Sequence, residues 1–229
     1  LPMIDILSQG RSRARMPRSL ILEPTRELAA QVAENFEKYG KHHKLSMALL
    51  IGGVSMGDQV KALEKGVDVL IATPGRLMDL FDRGNILLTG CSLLVIDEAD
   101  RMLDMGFLPP LRRVLAALSR ERQTLLLSAT FTKEVIGLAG EFTREPARVD
   151  VSNEQVVAPT VTHRVHPVAE GRKAALLTHV LMQPPVGQAL VFCKTKRGAN
   201  RVGESLEKAG LRASVIHGNK SQGARNRAL

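Results

Sequence analysis

A short apolar segment that runs directly into three acidic residues constrains the fold more than any other feature of the sequence. Leu93–Ile96 consists of four apolar residues, and Asp97, Glu98 and Asp100 follow it. A short and continuously apolar run is typical of a strand buried on both faces of a parallel sheet. Ligands bind at the carboxyl edge of such sheets, and neighbouring carboxylates there need an offsetting charge. The segment therefore predicts a site for a divalent cation that also holds nucleotide phosphates, with an ordinary acidic turn as the plainer alternative.

Further apolar runs of strand length alternate with sequence of helical periodicity. This alternation indicates βαβ units and a mostly parallel sheet, in which all strands end on the same edge. Thr25 and Thr73 are each expected to cap the helix that follows, and Pro74 suits the first turn of the second of these helices. The predicted strands are residues 19–22, 47–51, 67–72, 93–96 and 124–127.

The pattern changes near residues 149–162, where acidic and amide residues interrupt the strand–helix alternation. We predict a first domain over residues 1–152, a linker over 153–160 and a second α/β domain over 161–229. The second domain is expected to contain strands at residues 189–192 and 213–216. Because the chain begins with Leu1 and ends without a terminal signal, we expect a fragment of a longer protein.

Composition points to a polyanionic partner. The formal net charge is +9 and the pI is about 10, which is typical of a protein that binds nucleic acid. Charge alone favours equally a basic protein that has no such partner. Aromatic residues make up only 3% of the chain, so contacts to the phosphate backbone are favoured over base stacking. Cys91 and Cys193 are expected to be buried free thiols. No membrane span or signal peptide is visible, so we expect a cytoplasmic protein without membrane partners.

Seven short motifs, taken together and in order, resemble those of the DEAD-box family of superfamily 2 RNA helicases. The resemblance covers nearly the whole chain and implies two RecA-like domains that use ATP and Mg²⁺ to act on RNA. The short connections are similar to those of minimal bacterial-type members, which implies partners in ribosomal assembly or RNA degradation. The motifs are 24–31 (PTRELAAQ), 52–53 (GG), 73–76 (TPGR), 97–100 (DEAD), 128–130 (SAT), 191–195 (VFCKT) and 222–225 (QGAR).

The resemblance assigns the acidic segment to ATP hydrolysis. Asp97 matches the residue that holds Mg²⁺ on the nucleotide, most simply through water, and Glu98 matches the one that orients and deprotonates the attacking water. Asp100, Ser128 and Thr130 match the residues that couple the nucleotide to the RNA site. Helix capping ahead of the segment that begins at Thr132 is the plainer alternative for the two hydroxyls.

The remaining motif residues match contacts to RNA. Helix N-termini, small hydroxyls and glycines that allow close approach are suited to phosphate oxygens, and 2′-hydroxyl contacts would select RNA with little sequence preference. Surface or intramolecular ion pairs are the alternative for the two first-domain arginines, and a solvated helix face is the alternative for the last two residues of the set. The implied RNA contacts are Pro24, Thr25, Arg26, Gly52, Gly53, Thr73, Pro74, Gly75, Arg76, Thr195, Gln222 and Arg225.

One departure from the family pattern affects the expected activity. No G-x-x-x-x-G-K-[ST] phosphate-binding loop occurs in the 229 residues, and residues 218–221 match it only superficially. We therefore expect the first domain to lack its N-terminal phosphate-loop unit and the second to be truncated before the family's arginine finger. The primary hypothesis is part of an ATP-dependent RNA helicase that is inactive by itself. The alternative is a naturally truncated, non-catalytic RNA-binding or regulatory module.

Overall fold

The chain divides into two compact units, Leu1–Ser152 (unit 1) and Asn153–Leu229 (unit 2), in a computed structural model. The structure describes residues 1–10, 15–151, 161–184 and 186–228. The predicted linker at residues 153–160 lies outside these ranges. Within them, no helix has the length and apolar character that crossing a membrane requires.

Unit 1 is a βα-alternating domain built around a fully parallel five-stranded sheet. Its strand order is β2-β3-β1-β4-β5, and each neighbouring pair is in register along four residues. The α/β class with a parallel sheet is thereby confirmed. The elements are α1 (Pro2–Leu7), β1 (Ser19–Leu22), α2 (Arg26–Gly40), β2 (Met47–Leu50), α3 (Met56–Lys65), β3 (Val69–Ala72), α4 (Pro74–Asp82), β4 (Leu93–Ile96), α5 (Ala99–Asp104), α6 (Leu108–Ala117), β5 (Gln123–Leu126) and α7 (Lys133–Phe142).

The sheet is covered on both faces, which explains why its inner strands are continuously apolar. One apolar cluster joins Ile21 and Ile71 of the sheet to Ala29 and Ala33 of α2. A larger cluster on the opposite side joins alternate strand residues to helices α3 to α7. Strand β5 lies at the edge of the sheet and is less covered than the inner strands. Its Leu125 side chain is accordingly 42% exposed.

Helix starts differ from the sequence prediction at two places. Thr25 caps α2 as expected, and its Oγ1 accepts a hydrogen bond from the Leu28 N–H at 3.2 Å. Thr73 occupies the corresponding position before α4, but its hydroxyl makes no capping hydrogen bond, so that prediction was wrong. Helix α5 begins immediately after Glu98 and was not predicted, because six residues are too few for a periodic signal.

Unit 2 is helical in its described part, which comprises one 3₁₀ turn and three α-helices. The strands predicted at residues 189–192 and 213–216 are not formed, because a strand requires a paired neighbour and neither segment has one among the described residues. Phe192 is accordingly 87% exposed, and Cys193 is exposed rather than buried, whereas Cys91 is buried as predicted. The elements are the 3₁₀ turn Glu170–Arg172, α8 (Lys173–Leu181), α9 (Lys196–Lys208) and α10 (Gln222–Asn226).

Candidate active site and nucleic-acid interface

Backbone hydrogen bonds tie the carboxyl ends of the five strands together. Each first residue after a strand donates its N–H to the last residue of the neighbouring strand. The five turns predicted to share one edge of the sheet therefore do so in unit 1. The bonds are Thr73 N–H to Leu50 O at 3.0 Å, Glu23 N–H to Ala72 O at 3.0 Å, Asp97 N–H to Leu22 O at 3.1 Å and Leu127 N–H to Ile96 O at 2.9 Å.

The acidic pair sits in a strained turn between β4 and α5. Asp97 is half-buried and its Oδ1 accepts the Glu98 N–H at 2.9 Å. Glu98 is exposed and adopts a left-handed backbone conformation, with φ 48° and ψ 53°. This conformation costs a residue with a Cβ about 1 kcal/mol or more, and such strain is concentrated at functional sites. The turn presents both carboxyl groups at the end of the strand.

Asp100, Ser128 and Thr130 form one hydrogen-bonded cluster across the ends of β4 and β5. The Oδ2 of Asp100 accepts the Thr130 hydroxyl at 2.7 Å and the Thr130 N–H at 2.9 Å. The Asp100 N–H contacts Ser128 Oγ at 3.3 Å, and the Ser128 hydroxyl donates to the Thr130 carbonyl at 2.7 Å. Partial burial acts to raise the pKa of Asp100, but the hydrogen bonds from Thr130, the Arg101 N–H and Ser128 together lower it.

The capping alternative for these two hydroxyls is wrong. Helix α7 is capped by Thr132, whose Oγ1 accepts the Val135 N–H at 3.4 Å. The Ser128 and Thr130 hydroxyls are directed at the acidic segment and at each other instead. Both residues therefore contact the acidic segment, and the coupling role implied for them by the resemblance stays a prediction.

Two arginines converge on the turn after β2. A Cβ built on Gly53, which has φ +81°, would lie 2.5 Å from Arg26 Nη1, so the guanidinium rests directly against the glycine backbone. Arg76 donates to the Val54 carbonyl at 3.4 Å and to Gln59 Oε1 at 3.1 Å. The structure records no ion pair for either arginine among the described residues, so both charges remain available to an anion.

Gln59 is a site residue that sequence reasoning missed. It is 7% exposed, its Nε2 donates to the Ile51 carbonyl at 3.0 Å, and its Oε1 receives Arg76. The amide thus holds Arg76 against the turn. The available signal was a glutamine on the apolar face of α3, four residues before the buried Leu63.

The other predicted first-domain contacts lie at the same edge. Thr25 precedes α2 and is half-buried, Thr73 is 9% exposed and Pro74 is buried. Gly75 is exposed, and a Cβ added there would meet nothing within 4 Å, so its backbone is open to a ligand. Helix N-termini of this kind favour anions through their unpaired N–H groups.

Three predicted contacts lie in unit 2 and are described there separately. Thr195 caps α9, and its Oγ1 accepts the Gly198 N–H at 3.0 Å. Gln222 begins α10, is 7% exposed and donates to Asn226 Oδ1 at 2.9 Å. Arg225 is half-buried in the same short helix. A fully solvated helix face, the alternative for the last two, does not describe the buried Gln222.

Glu23 is a second residue that sequence reasoning missed. It follows β1 and is fully buried, and neither carboxyl oxygen has a hydrogen-bond partner among the residues that the structure describes. Burial, and then the charges of Asp97 and Glu98, raise the pKa of Glu23 to about 8. The only signal in the sequence was an acidic residue between a buried strand and Pro24.

These residues fit Mg²⁺ in its usual mode of binding to nucleotides. No group of three or more acidic, histidine or cysteine side chains in the described ranges is arranged to hold a metal alone. Mg²⁺ needs only one or two protein carboxylates where phosphates and water complete its oxygen shell. Asp97 and Glu98 offer such oxygens, and their charges act on the carboxyl group of Glu23.

Comparisons with known proteins agree in pointing to one family. Residues 1–137 match a family model described as DEAD/DEAH box helicase. The chain is 41% identical over 216 residues to DEAD-box ATP-dependent RNA helicase 46 of Arabidopsis thaliana, covering 93% of this chain and 33% of that protein. It is also 41% identical over 216 residues to the ATP-dependent RNA helicase RhlB of Pseudomonas putida, covering 93% of this chain and 54% of that protein.

Solved structures show the same relationship. The crystal structure of a DEAD box protein from Methanococcus jannaschii superposes with a TM-score of 0.61 at 31% identity, covering 99% of this chain and 60% of that chain. The crystal structure of a hypothetical ATP-dependent RNA helicase from Sulfolobus tokodaii has a TM-score of 0.56 at 32% identity, covering 63% of this chain and 40% of that chain. The chain spans about a third to a half of the length of its curated relatives.

Proposed function

Because the chain belongs to the DEAD/DEAH box helicase family, we propose that it supplies an RNA-gripping edge and the hydrolytic carboxylates of an ATP-dependent RNA helicase. One observation carries the proposal. The acidic pair after β4 lies on the same edge of one sheet as Arg26 and Arg76, neither of which forms an ion pair within the described part of the chain. A nucleotide site and a polyanion site on one rigid edge are what coupling between ATP and RNA requires.

In this proposal Asp97 and Glu98 have different roles, one toward the cation and the other toward the attacking water. Mg²⁺, when bound with ATP, supplies positive charge that stabilises the charge on the transferring phosphoryl group. Asp97, half-buried and fixed by the Glu98 N–H, is the residue that would hold it through water. Glu98 is exposed, so its carboxylate has room to orient a water molecule and accept its proton.

The cluster of Asp100, Ser128 and Thr130 would transmit the state of the nucleotide. It fastens the first turn of α5 to the segment that follows β5. A shift of the acidic pair therefore displaces residues 128–130 as well. We place the coupling between the nucleotide and RNA sites in this cluster.

RNA would be held by its backbone. Helix N-termini at Thr25 and Thr73 and the open backbone at Gly75 suit phosphate oxygens, and Arg26 and Arg76 add charge. In unit 2, Thr195, Gln222 and Arg225 are separately proposed to contact RNA. Selection of RNA over DNA would come from 2′-hydroxyl groups.

Binding of labelled single-stranded RNA, followed by fluorescence anisotropy at several salt concentrations, tests the RNA edge. Arg26→Ala and Arg76→Ala are each expected to weaken RNA binding. Each should also reduce the magnitude of the slope of log K against log salt concentration by about 0.7, the value for one lost phosphate contact. Arg112→Ala is the matched control, because Arg112 is already paired with Glu141 at 2.7 and 2.8 Å. Equal losses in all three variants would contradict a defined RNA edge.

The genomic sequence upstream of Leu1 separates the helicase from the non-catalytic alternative, whereas an ATPase assay tests whether this chain is active by itself. We expect the 229 residues alone to show no RNA-stimulated ATPase activity, because they contain no phosphate-binding loop sequence. RNA-stimulated ATPase from this chain would contradict that expectation. An in-frame G-x-x-x-x-G-K-[ST] segment upstream of Leu1 in the genome would support the helicase, and a start codon at Leu1 would support the module.

A further inference from the structure

Glu23 is a buried carboxyl group whose position calls for an explanation. Its side chain is fully buried, and neither carboxyl oxygen has a hydrogen-bond partner within the described part of the chain. Leaving a buried polar group without a partner costs roughly 1–3 kcal/mol, so such groups need an explanation. An alanine or valine at the end of β1 would avoid this cost.

No structural role accounts for the carboxyl group. Helix α2, which begins three residues later, is capped by the Thr25 hydroxyl. No basic side chain forms an ion pair with Glu23 among the described residues. Only the Glu23 backbone is used by the fold, through its N–H to the Ala72 carbonyl at 3.0 Å.

The position of Glu23 connects it to the acidic pair. Leu22 is paired with Ile96 in the parallel register, and the Asp97 N–H donates to the Leu22 carbonyl at 3.1 Å. Glu23 and Asp97 are therefore the first residues beyond two adjacent strands. Apart from burial, the charges that act on Glu23 are those of Asp97 and Glu98.

We propose that Glu23 is a positioning residue of the candidate cation site, whose carboxyl group hydrogen-bonds to a water molecule in the hydration shell of the cation held by Asp97. This inference rests on the proposed function, since the cation is the one that accompanies ATP. Mg²⁺ keeps several of its waters in proteins, and groups that orient such outer ligands tune metal affinity strongly.

The test is binding of Mn²⁺ together with ATP, with Mn²⁺ used as a spectroscopic probe for Mg²⁺, by electron paramagnetic resonance on the 229-residue chain. Glu23→Met keeps the length of the side chain but removes both oxygens, and we expect it to weaken Mn²⁺ binding about tenfold. Glu23→Gln keeps an acceptor oxygen in place and is expected to stay within about threefold of the parent. Glu37→Ala, at an exposed glutamate of α2, is the control and should bind like the parent. Mg²⁺ is expected to displace the probe in every variant.

Each result decides between the inference and the function on which it rests. Parent-like binding by Glu23→Met, or equal losses in the Met and Gln variants, would overturn the role of Glu23 and leave the cation site standing. Absence of binding to the parent, or no loss in Asp97→Asn, would overturn the cation site of the proposed function itself. Far-UV circular dichroism verifies folding, and Glu23→Leu replaces Glu23→Met if the latter does not fold.

Discussion

Replacement of Glu23 by glutamine is expected to stabilise unit 1 at alkaline pH and to leave its stability near pH 5 almost unchanged. The pKa of this carboxyl group rises from 4.5 in the unfolded chain to about 8 in the folded protein, because of burial first and the charges of Asp97 and Glu98 second. Below pH 4.5 the group is protonated in both states and has no effect on the pH dependence. Between the two pKa values only the unfolded state ionises, so the parent loses stability as pH rises.

The expected size of the effect follows from the width of that interval. Each pH unit between the two pKa values corresponds to about 1.4 kcal/mol. Between pH 5.0 and pH 8.5 the parent should lose about 3–4 kcal/mol of unfolding free energy that the glutamine variant retains. With a denaturant slope of about 2 kcal/mol per molar urea, the midpoints should separate by about 1.5–2 M at pH 8.5. A loss of this size is a large share of the stability of an ordinary domain.

Urea unfolding monitored by the fluorescence of Tyr39 measures this in unit 1 alone. The chain has one tyrosine and no tryptophan, and Tyr39 lies in α2. Titration of all other groups cancels when the variant is compared with the parent at each pH. If the unfolding free energies of the parent and the variant differ by the same amount at every pH from 5.0 to 8.5, the reasoning is refuted, because the pKa of Glu23 would then not be raised in the folded protein.

A second substitution divides the causes of the shift. Asp97→Asn removes one of the two neighbouring charges but leaves the burial of Glu23 intact. Because burial is the largest cause, we expect the pH-dependent loss to shrink and not to disappear. Complete disappearance in Asp97→Asn would mean that charge repulsion, and not burial, controls Glu23.

Three further substitutions test the geometry of the sheet edge. Glu98→Asn should stabilise unit 1 by about 0.5–1 kcal/mol in urea unfolding, because asparagine tolerates φ 48° better, and an unchanged midpoint would contradict the strain. Gly53→Ala should destabilise unit 1 by about 1–2 kcal/mol and weaken RNA binding in the same anisotropy assay, because the added Cβ would displace Arg26; unchanged RNA binding would contradict this contact. Thr130→Val should lower the free energy of unfolding by about 1 kcal/mol, because it removes the hydroxyl that donates to Asp100 Oδ2 at 2.7 Å. A loss below about 0.3 kcal/mol would show that this hydrogen bond is not stabilising.

The sheet of unit 1 was predictable because its strands are buried on both faces. Continuous apolar runs and short polar turns identify such strands without knowledge of their neighbours. Residues 189–192 and 213–216 carry the same local signal, yet they form no strand, since a strand depends on a partner that local sequence does not specify. Local pattern thus predicts the potential to form a strand, and pairing decides the outcome.

The candidate site was predicted best where motif and geometry coincide. Asp100 and Thr130 are 30 positions apart, and only their match to ordered motifs placed them together before the 2.7 Å hydrogen bond was seen. Gln59 and Glu23 were missed because a buried polar side chain on an apolar face or after a strand gives no periodic signal. The hydroxyl of Thr73 shows the opposite error, since a favourable residue at a helix start does not ensure a capping bond.

The strained turn at Glu98 persists because hydrogen bonds on both sides determine its backbone. The Leu127 N–H donates to the Ile96 carbonyl at 2.9 Å before the turn, and the Ala99 N–H donates to the Leu127 carbonyl at 3.0 Å after it. Leu127, the first residue after β5, therefore holds both ends of the acidic turn. A movement of Asp97 or Glu98 would strain these bonds and the segment that begins at Ser128. We therefore propose the end of β5 as the route by which the acidic pair would act on the cluster of Asp100, Ser128 and Thr130 in the function proposed above.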